Sequence, residues 1–426
     1  MSSLPHARRN FILFFLDYAI FGIGFSLIGN TTVVPDLVRH LTDSETIIGL
    51  AGALYPFAWL VPQLLFAQVI NRSTRRKPFM TWSVIPFRIT MAILAGFIAL
   101  VGGESHSTIL VTFLFFYTIF ALGDGLVTIV WADMMGSSVP HRWRGVLFGL
   151  GQVVVTVATL GTREIVRNAL GPNGLPFPYN YAQMLGFAAV MFIIAGVALS
   201  LLVEEKTETV IEPGPPMHQF LPYLGNVLRT DREFQRFTLT RTLLDLTMMT
   251  APFYIIFGLD YLKISNGVLV GDSVLLTTLG SAAAALLLGW LSHRSGSRSV
   301  IGMAAIACCL HPALALLSFS VGQPALYAAF FLIGFVSAAT VPGYFDWIIT
   351  HAPPDRRPIY VGLTNTISAV SHLSPVFGGL ILRLSGSSYS VLFMVALLIA
   401  FVGLGSTLFL SEPRKRLAML ATEPTK

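Results

Sequence analysis

Twelve runs of about 20 consecutive apolar residues, each long enough to cross a bilayer as a helix, dominate this chain of 426 residues. Their limits are 11–35, 46–70, 78–102, 108–133, 145–167, 181–203, 234–259, 268–291, 299–321, 323–349, 359–383 and 388–411. Hydrocarbon offers no hydrogen-bond partners, so a spanning segment must be a helix or a strand of a closed barrel. These runs lack two-residue alternation and are too long for barrel strands, which leaves helices. The runs from 145 and 359 carry Gly, Ser and Thr and are the least continuous.

Charge supports a lipid-embedded chain. Only 11% of residues are charged and 54% are hydrophobic, with a mean hydropathy of +0.73. An ordinary soluble domain is about 25% charged, so this composition excludes a disordered chain, a nucleic-acid-binding domain and almost any soluble enzyme. The apolar segment after Arg8 and Arg9 is too long for a signal peptide, contains Asp17 and lacks a small-residue cleavage site, so it reads as an uncleaved first span. The two cysteines, Cys308 and Cys309, are adjacent in one run. Neighbours on a helix point about 100° apart and do not bridge. No zinc or haem spacing is present, and no cofactor is expected.

Lys and Arg set the expected orientation. With the N-terminus inside and the spans alternating, 20 of the 27 basic residues fall in inside segments and four (Arg39, Arg167, Lys263, Arg383) in outside ones. This bias places both termini in the cytoplasm. The net charge of +6 is therefore a topology signal spread over seven segments, whereas a nucleic-acid footprint would form one patch.

The longest inside segment, 204–233, is acidic, then Pro-rich, then carries Phe220, Leu221, Leu224, Val227 and Leu228 at helical spacing. It reads as a linker with a short amphipathic helix on the membrane surface. It separates a six-span unit, 1–203, from a second, 234–426. The halves match each other. Asp133, Pro140, Arg144 and Gly149 recur as Asp346, Pro353, Arg357 and Gly362 at a shift of 213, and Arg72 and Arg76 recur as Arg294 and Arg298 at a shift of 222. These places follow spans 4 and 10 and spans 2 and 8, as a tandem duplication requires.

With twelve spans, a six-plus-six repeat and a central cytoplasmic linker, nearly the whole chain resembles the major facilitator superfamily of secondary transporters. The family signature after span 2 is G-x-L-x-D-R-x-G-R-R/K. Gly289, Leu291, Arg294, Gly296 and Arg298 fit it in the second half, with His293 in the Asp place. In the first half Arg72, Arg75 and Arg76 fit it, while Ala67, Val69, Asn71 and Thr74 depart. Arg142-x-Arg144-Gly145 after span 4 is also family-like. The resemblance implies an all-α integral membrane protein, two six-helix bundles related by a pseudo-two-fold axis, in which spans 1, 4, 7 and 10 line a central cavity. It further implies a cytoplasmic gate in which Arg72, Arg75, Arg76, Arg294 and Arg298 pair with Asp133 and Asp346 or with helix C-termini. Two antiporter markers are missing: span 4 has no Arg, and Gly161-Thr162-Arg163-Glu164 stands where span 5 would carry G-P-x-x-G-G. A close version of that motif, Ser374-Pro375-Val376-Phe377-Gly378-Gly379, lies in span 11 instead.

Charges inside spans are costly, about 2.5–3.5 kcal/mol each on insertion scales, and mark cavities or partners. Asp17, about 9 Å into span 1 at 1.5 Å per residue, and Asp124 in span 4 are candidates for binding a cation or proton, with Arg88 of span 3 modulating them. A neutralised structural cluster is the alternative. Arg241 and Asp245, four apart on span 7, share a face and form either a self-neutralising pair or a gate or substrate contact. Polar stripes run along span 5 (Gln152, Thr156, Thr159, Arg163) and span 11 (Asn365, Ser368, His372), serving helix–helix bonding or substrate contact. Arg163 and Glu164 read as an exit-side ion pair. Together these residues point to a transporter for a small molecule, working by alternating access. Few fixed charges favour export of amphipathic or apolar compounds; uptake of a small nutrient and a non-transporting receptor or scaffold are the alternatives. No Walker motif is present, so the fuel is an ion or substrate gradient, H+ or Na+ being the candidate ions. No intramembrane-enzyme motif occurs. The expected setting is a plasma-type membrane, and the family default is a monomer.

Overall fold

The computed structural model describes residues 6–71, 77–204, 225–353 and 356–413, with the side chains of 64–71, 104, 141 and 358 excepted. All regular structure among them is helical, and twelve segments are long and apolar enough to cross a membrane: 7–41, 45–63, 77–101, 106–138, 142–169, 179–200, 232–260, 266–295, 297–321, 323–351, 359–384 and 389–407. Each overlaps one predicted run, with ends that differ by up to seven residues in either direction. Span 1 differs most. Its helix ends at Ile28, turns through Gly29 in the left-handed region (φ 43°), and resumes as Val33–Leu41. Glycine alone adopts that conformation without strain. Large apolar side chains point out of the bundle: Trp82 is 82% exposed and Leu286 79%. Such surfaces are tolerated where hydrocarbon, not water, is the solvent.

The chain forms two compact units. One holds 1–214 together with 255–275, and the other holds 215–254 with 276–426. Within the first, span 1 packs on spans 5 and 6, span 3 on spans 4 and 6, and span 2 on span 4. The second repeats this scheme six spans later: span 7 packs on spans 11 and 12, and span 9 on spans 10 and 12. The repeat read from a few residues near helix ends is accompanied by a repeat of helix packing. Residues 225–230 are helical, while Phe220, Leu221 and Leu224 lie outside the described residues.

Three spans of the second unit are interrupted, and each interruption adjoins a proline. Span 7 passes through a 3-10 turn at Thr247–Thr250 before Pro252, span 10 through a π segment at Thr340–Phe345 containing Pro342, and span 11 through a break at His372–Leu373 before Pro375. Proline removes one backbone donor and its ring crowds the carbonyl four residues back. The freed carbonyls then need other partners. Beside the span 7 turn, the Ser374 hydroxyl of span 11 donates to the Asp245 carbonyl at 3.4 Å.

Close approach of spans 2 and 4 depends on Gly125. A Cβ there would fall onto the Trp59 carbonyl oxygen. The contact holds Tyr55 and Trp59 against Asp124 and Thr128. Gly125→Val is expected to force the helices apart and lower stability by about 1–3 kcal/mol, the usual cost of overpacking; a thermal unfolding curve of the purified variant measures it.

Candidate functional site

The apolar spans of the first unit enclose an ionic cluster. Asp17 is 5% exposed and Arg88 4%. Their side chains pair at 2.9 Å between Asp17 Oδ1 and Arg88 Nη2. The Trp131 indole N–H donates to Asp17 Oδ2 at 3.0 Å. Arg88 also donates to the Phe192 carbonyl at 3.2 Å and lies over the Phe21 ring at 4.9 Å from its centroid. Asp124 takes a 2.7 Å hydrogen bond from the Tyr55 hydroxyl. One turn on, Thr128 donates to the Asp124 carbonyl and accepts from the Trp59 indole. Aromatic rings wall this region: Phe21 against Phe192 at 4.9 Å, Phe25 against Tyr55 at 4.8 Å, and Tyr55 against Tyr117 at 6.1 Å. Of the sequence candidates, Asp17 and Arg88 form one pair, and Asp124 is held separately by Tyr55.

Gln152 of span 5 turns toward span 1, where its Oε1 accepts from Tyr18 at 3.2 Å, while its amide reaches Thr156 at 3.4 Å. The first bond joins two helices and the second lies within span 5. The second unit has its own buried pair. Arg241 Nε and Asp245 Oδ2 are 3.5 Å apart, and the Arg241 guanidinium lies 4.7 Å over the Tyr344 ring. Ser368 donates to Asp245 Oδ2 at 2.6 Å. Ser368 and His372 are one turn apart on span 11, with His372 at the helix break and Asn365 one turn earlier. Asn365 and His372 are partly buried. Each unit therefore carries an Asp on its first span whose carboxylate meets a buried arginine, and each arginine rests on an aromatic face. This raises the attraction beyond the ion pair alone.

The gate residues divide. Arg72, Arg75 and Arg76 lie outside the described residues, so the expected pairing with Asp133 does too. Asp133 and Asp346 are partly buried near the ends of spans 4 and 10. In the second half, Arg294 stacks on Trp290 at 5.5 Å, while Arg298 donates to the Leu408 carbonyl at the end of span 12, and its backbone N–H donates to Glu412. Arg144 likewise donates to the Gly136 and Val139 carbonyls at the end of span 4. Cations at helix C-termini are favourable because unpaired carbonyls carry partial negative charge there.

Apart from the adjacent Arg163 and Glu164, the other polar clusters were not legible in sequence. In the first unit Asp36, fully buried, receives the Tyr181 hydroxyl at 2.5 Å and the Asn266 amide at 3.3 Å, with His40 nearby. Arg39 pairs with Asp260, and Arg163 pairs with Asp272 at 2.6 Å as well as with Glu164 at 2.8 Å. These contacts, with Gly267 and Gly271 set against the span 5 backbone, bind 255–275 into that unit. In the second unit His311 sits fully buried between the Tyr254 hydroxyl (2.8 Å) and Thr247 (3.4 Å). Asp231 caps span 7 by accepting the Phe234 N–H at 3.0 Å, and it also holds His351 and Tyr360, each at 2.9 Å. These partners are scattered along the chain, and nothing local marks them.

Burial opposes ionisation of Asp231, but the bonds from His351, the Phe234 N–H and Tyr360 outweigh it and hold the carboxyl well below its usual range. A depressed acid contributes stability above its unfolded value, about 3.9 for Asp, and loses it as pH falls through the folded value. Asp231→Asn is thus expected to be less stable than the wild-type chain at pH 7, and the gap should begin to close only below about pH 4. Thermal unfolding across pH 3–8 reads this directly.

Removing one member of a buried ion pair strands the other, at a cost on the order of 3–5 kcal/mol. Asp17→Asn alone should therefore be strongly destabilised, while Asp17→Asn with Arg88→Met should recover much of the loss. A double-mutant cycle on unfolding measures the coupling.

Comparison with known proteins agrees with this architecture. The sequence profile described as Major Facilitator Superfamily matches residues 12–372 and 247–424. No curated protein matches the chain in sequence. Among solved structures, a mutant of the nucleoside transporter NupG is similar at a TM-score of 0.67 and 13% identity, covering 96% of this chain and 99% of that one. A D-xylose-proton symporter is similar at a TM-score of 0.67 and 12% identity, covering 95% and 98%. The human organic anion transporter MFSD10 (TETRAN) is similar at a TM-score of 0.60 and 19% identity, covering 95% and 100%. At these identities the likenesses speak for the fold. With twelve helices among its described residues long and apolar enough to cross a membrane, and a family profile that covers nearly its whole length, the chain belongs to the major facilitator superfamily.

Proposed function

We propose that this protein is a secondary transporter that moves a small molecule across its membrane by alternating access of two six-span bundles, 1–203 and 234–426, joined by 204–233. The observation that carries the reading is the cluster of Asp17, Arg88 and Asp124 inside apolar spans. Ionisable groups in a membrane interior are costly and are retained where an ion or substrate passes. Asp17 and Asp124 are the candidate coupling-ion or substrate residues, with H+ or Na+ as the coupling ion. Arg241, Asp245 and His372 form the matching cluster of the second unit. The prolines beside its three helix interruptions supply flexible points next to that cluster, as broken helices do in other transporters. The D-xylose-proton symporter among the similar structures lends support to proton coupling.

Export of amphipathic or apolar compounds fits a site with aromatic walls and few fixed charges. The distribution of Lys and Arg supports an orientation with both termini in the cytoplasm. The test is flux in proteoliposomes containing only this protein, with a proton gradient imposed in either direction. Saturable movement of a compound is expected, and its coupling to the gradient should be lost in Asp124→Asn. Absence of flux across a broad substrate panel overturns the reading in favour of a receptor or scaffold on the same fold.

A further inference from the structure

We infer that the buried cluster of the first unit binds a monovalent organic cation with a bulky apolar body, and that Asp124, not Asp17, is its counter-ion. The inference rests on the transporter reading above and names the ligand class of that same site.

The charge balance separates the two acids. Arg88 is committed: it pairs with Asp17 at 2.9 Å, donates to the Phe192 carbonyl and rests on Phe21. Asp17 is further bonded by Trp131. That pair is neutral. Asp124 has no ion-pair partner among the described residues, and its carboxylate is bonded by Tyr55, a neutral phenol. The cluster thus carries one negative charge in excess when both acids are ionised. An uncompensated carboxylate in an apolar interior is costly unless a cation joins it.

The surroundings select the kind of cation. Tyr55 stands 4.8 Å from Phe25, 6.0 Å from Phe120 and 6.1 Å from Tyr117, centroid to centroid. Aromatic faces attract weakly hydrated organic cations. A divalent metal wants six or more oxygen ligands, and this region offers one carboxylate without an ion-pair partner among the described residues, and phenol oxygens. Tyr117 supplies an independent sign. It is fully buried, and its hydroxyl has no hydrogen-bond partner among the described residues. An orphaned buried hydroxyl is expensive, and the Tyr117 ring belongs to the same wall as Tyr55.

The test uses the full chain in lipid nanodiscs and three probes of similar shape: tetraphenylphosphonium, a cation; triphenylphosphine oxide, neutral; and tetraphenylborate, an anion. Binding is read by equilibrium dialysis and by fluorescence of Trp59, which lies beside Thr128 one turn from Asp124. Saturable phosphonium binding is expected, with the other two probes failing to compete at equal concentration. Asp124→Asn should weaken it on the order of 30-fold or more, the usual loss when a buried charge pair is broken, and Asp124→Glu should restore most of it. Equal binding of phosphonium and borate, no saturable phosphonium binding, or unchanged affinity in Asp124→Asn each overturn the inference. The probe comparison on the unaltered chain decides the matter even if Asp124→Asn does not fold. Phosphonium binding without flux upholds the ligand class and counts against transport alone. Flux of other compounds without cation selectivity leaves transport standing and overturns the ligand class.

Discussion

Hydrocarbon supplies neither hydrogen bonds nor charge screening, and this constraint shapes every level of the structure. Backbone groups must be satisfied within each segment, so the chain is helical throughout its spans. Prolines interrupt that pattern in spans 7, 10 and 11, and beside these breaks the Ser374 hydroxyl of span 11 donates to the Asp245 carbonyl of span 7. Where ionisable side chains enter the spans, they arrive with partners. Asp17 has Arg88 and Trp131; Asp245 has Arg241 and Ser368. Each arginine adds an aromatic face, Phe21 in one unit and Tyr344 in the other.

The two units solve this problem in parallel, and then diverge. Their helix packing follows one scheme displaced by six spans. Span 3 brings the charged Arg88 into the first unit, while span 9 brings the fully buried His311 into the second, held between Tyr254 and Thr247. The first unit keeps its helices continuous around the ionic cluster and binds Asp124 through a tyrosine. The second interrupts three helices around Asp245.

Much of this was readable from residue order. Apolar run length located every span, because lipid thickness sets helix length almost without regard to tertiary context. The isolated charges Asp17, Arg88, Asp124, Arg241 and Asp245 stood out because their cost in a span is so high, and the i, i+4 spacing of the last pair already implied contact. The reading was poorer where side chains have ordinary chemistry. Tyr55, Trp131 and Tyr181 are single members of an aromatic-rich composition, and nothing in the sequence says which of them hydrogen-bonds an acid. Asp36 and Asp231 sit near span ends, where an acid is unremarkable in sequence, yet each gathers partners more than 100 residues away.

Sequence alone showed twelve runs long and apolar enough to cross a membrane, short motifs that recur between its halves, and which few charges lie within the runs. Those are consequences of solvent and length, which act on each segment separately. Tertiary structure decided that Arg88 belongs to Asp17 and leaves Asp124 to Tyr55, that Gln152 bonds to a neighbouring helix, and that 255–275 packs with the first unit. Partnership between residues far apart in the chain depends on helix rotation and approach. Those are set by the packing of many side chains at once, with details such as the bare face of Gly125 against Trp59 deciding the outcome.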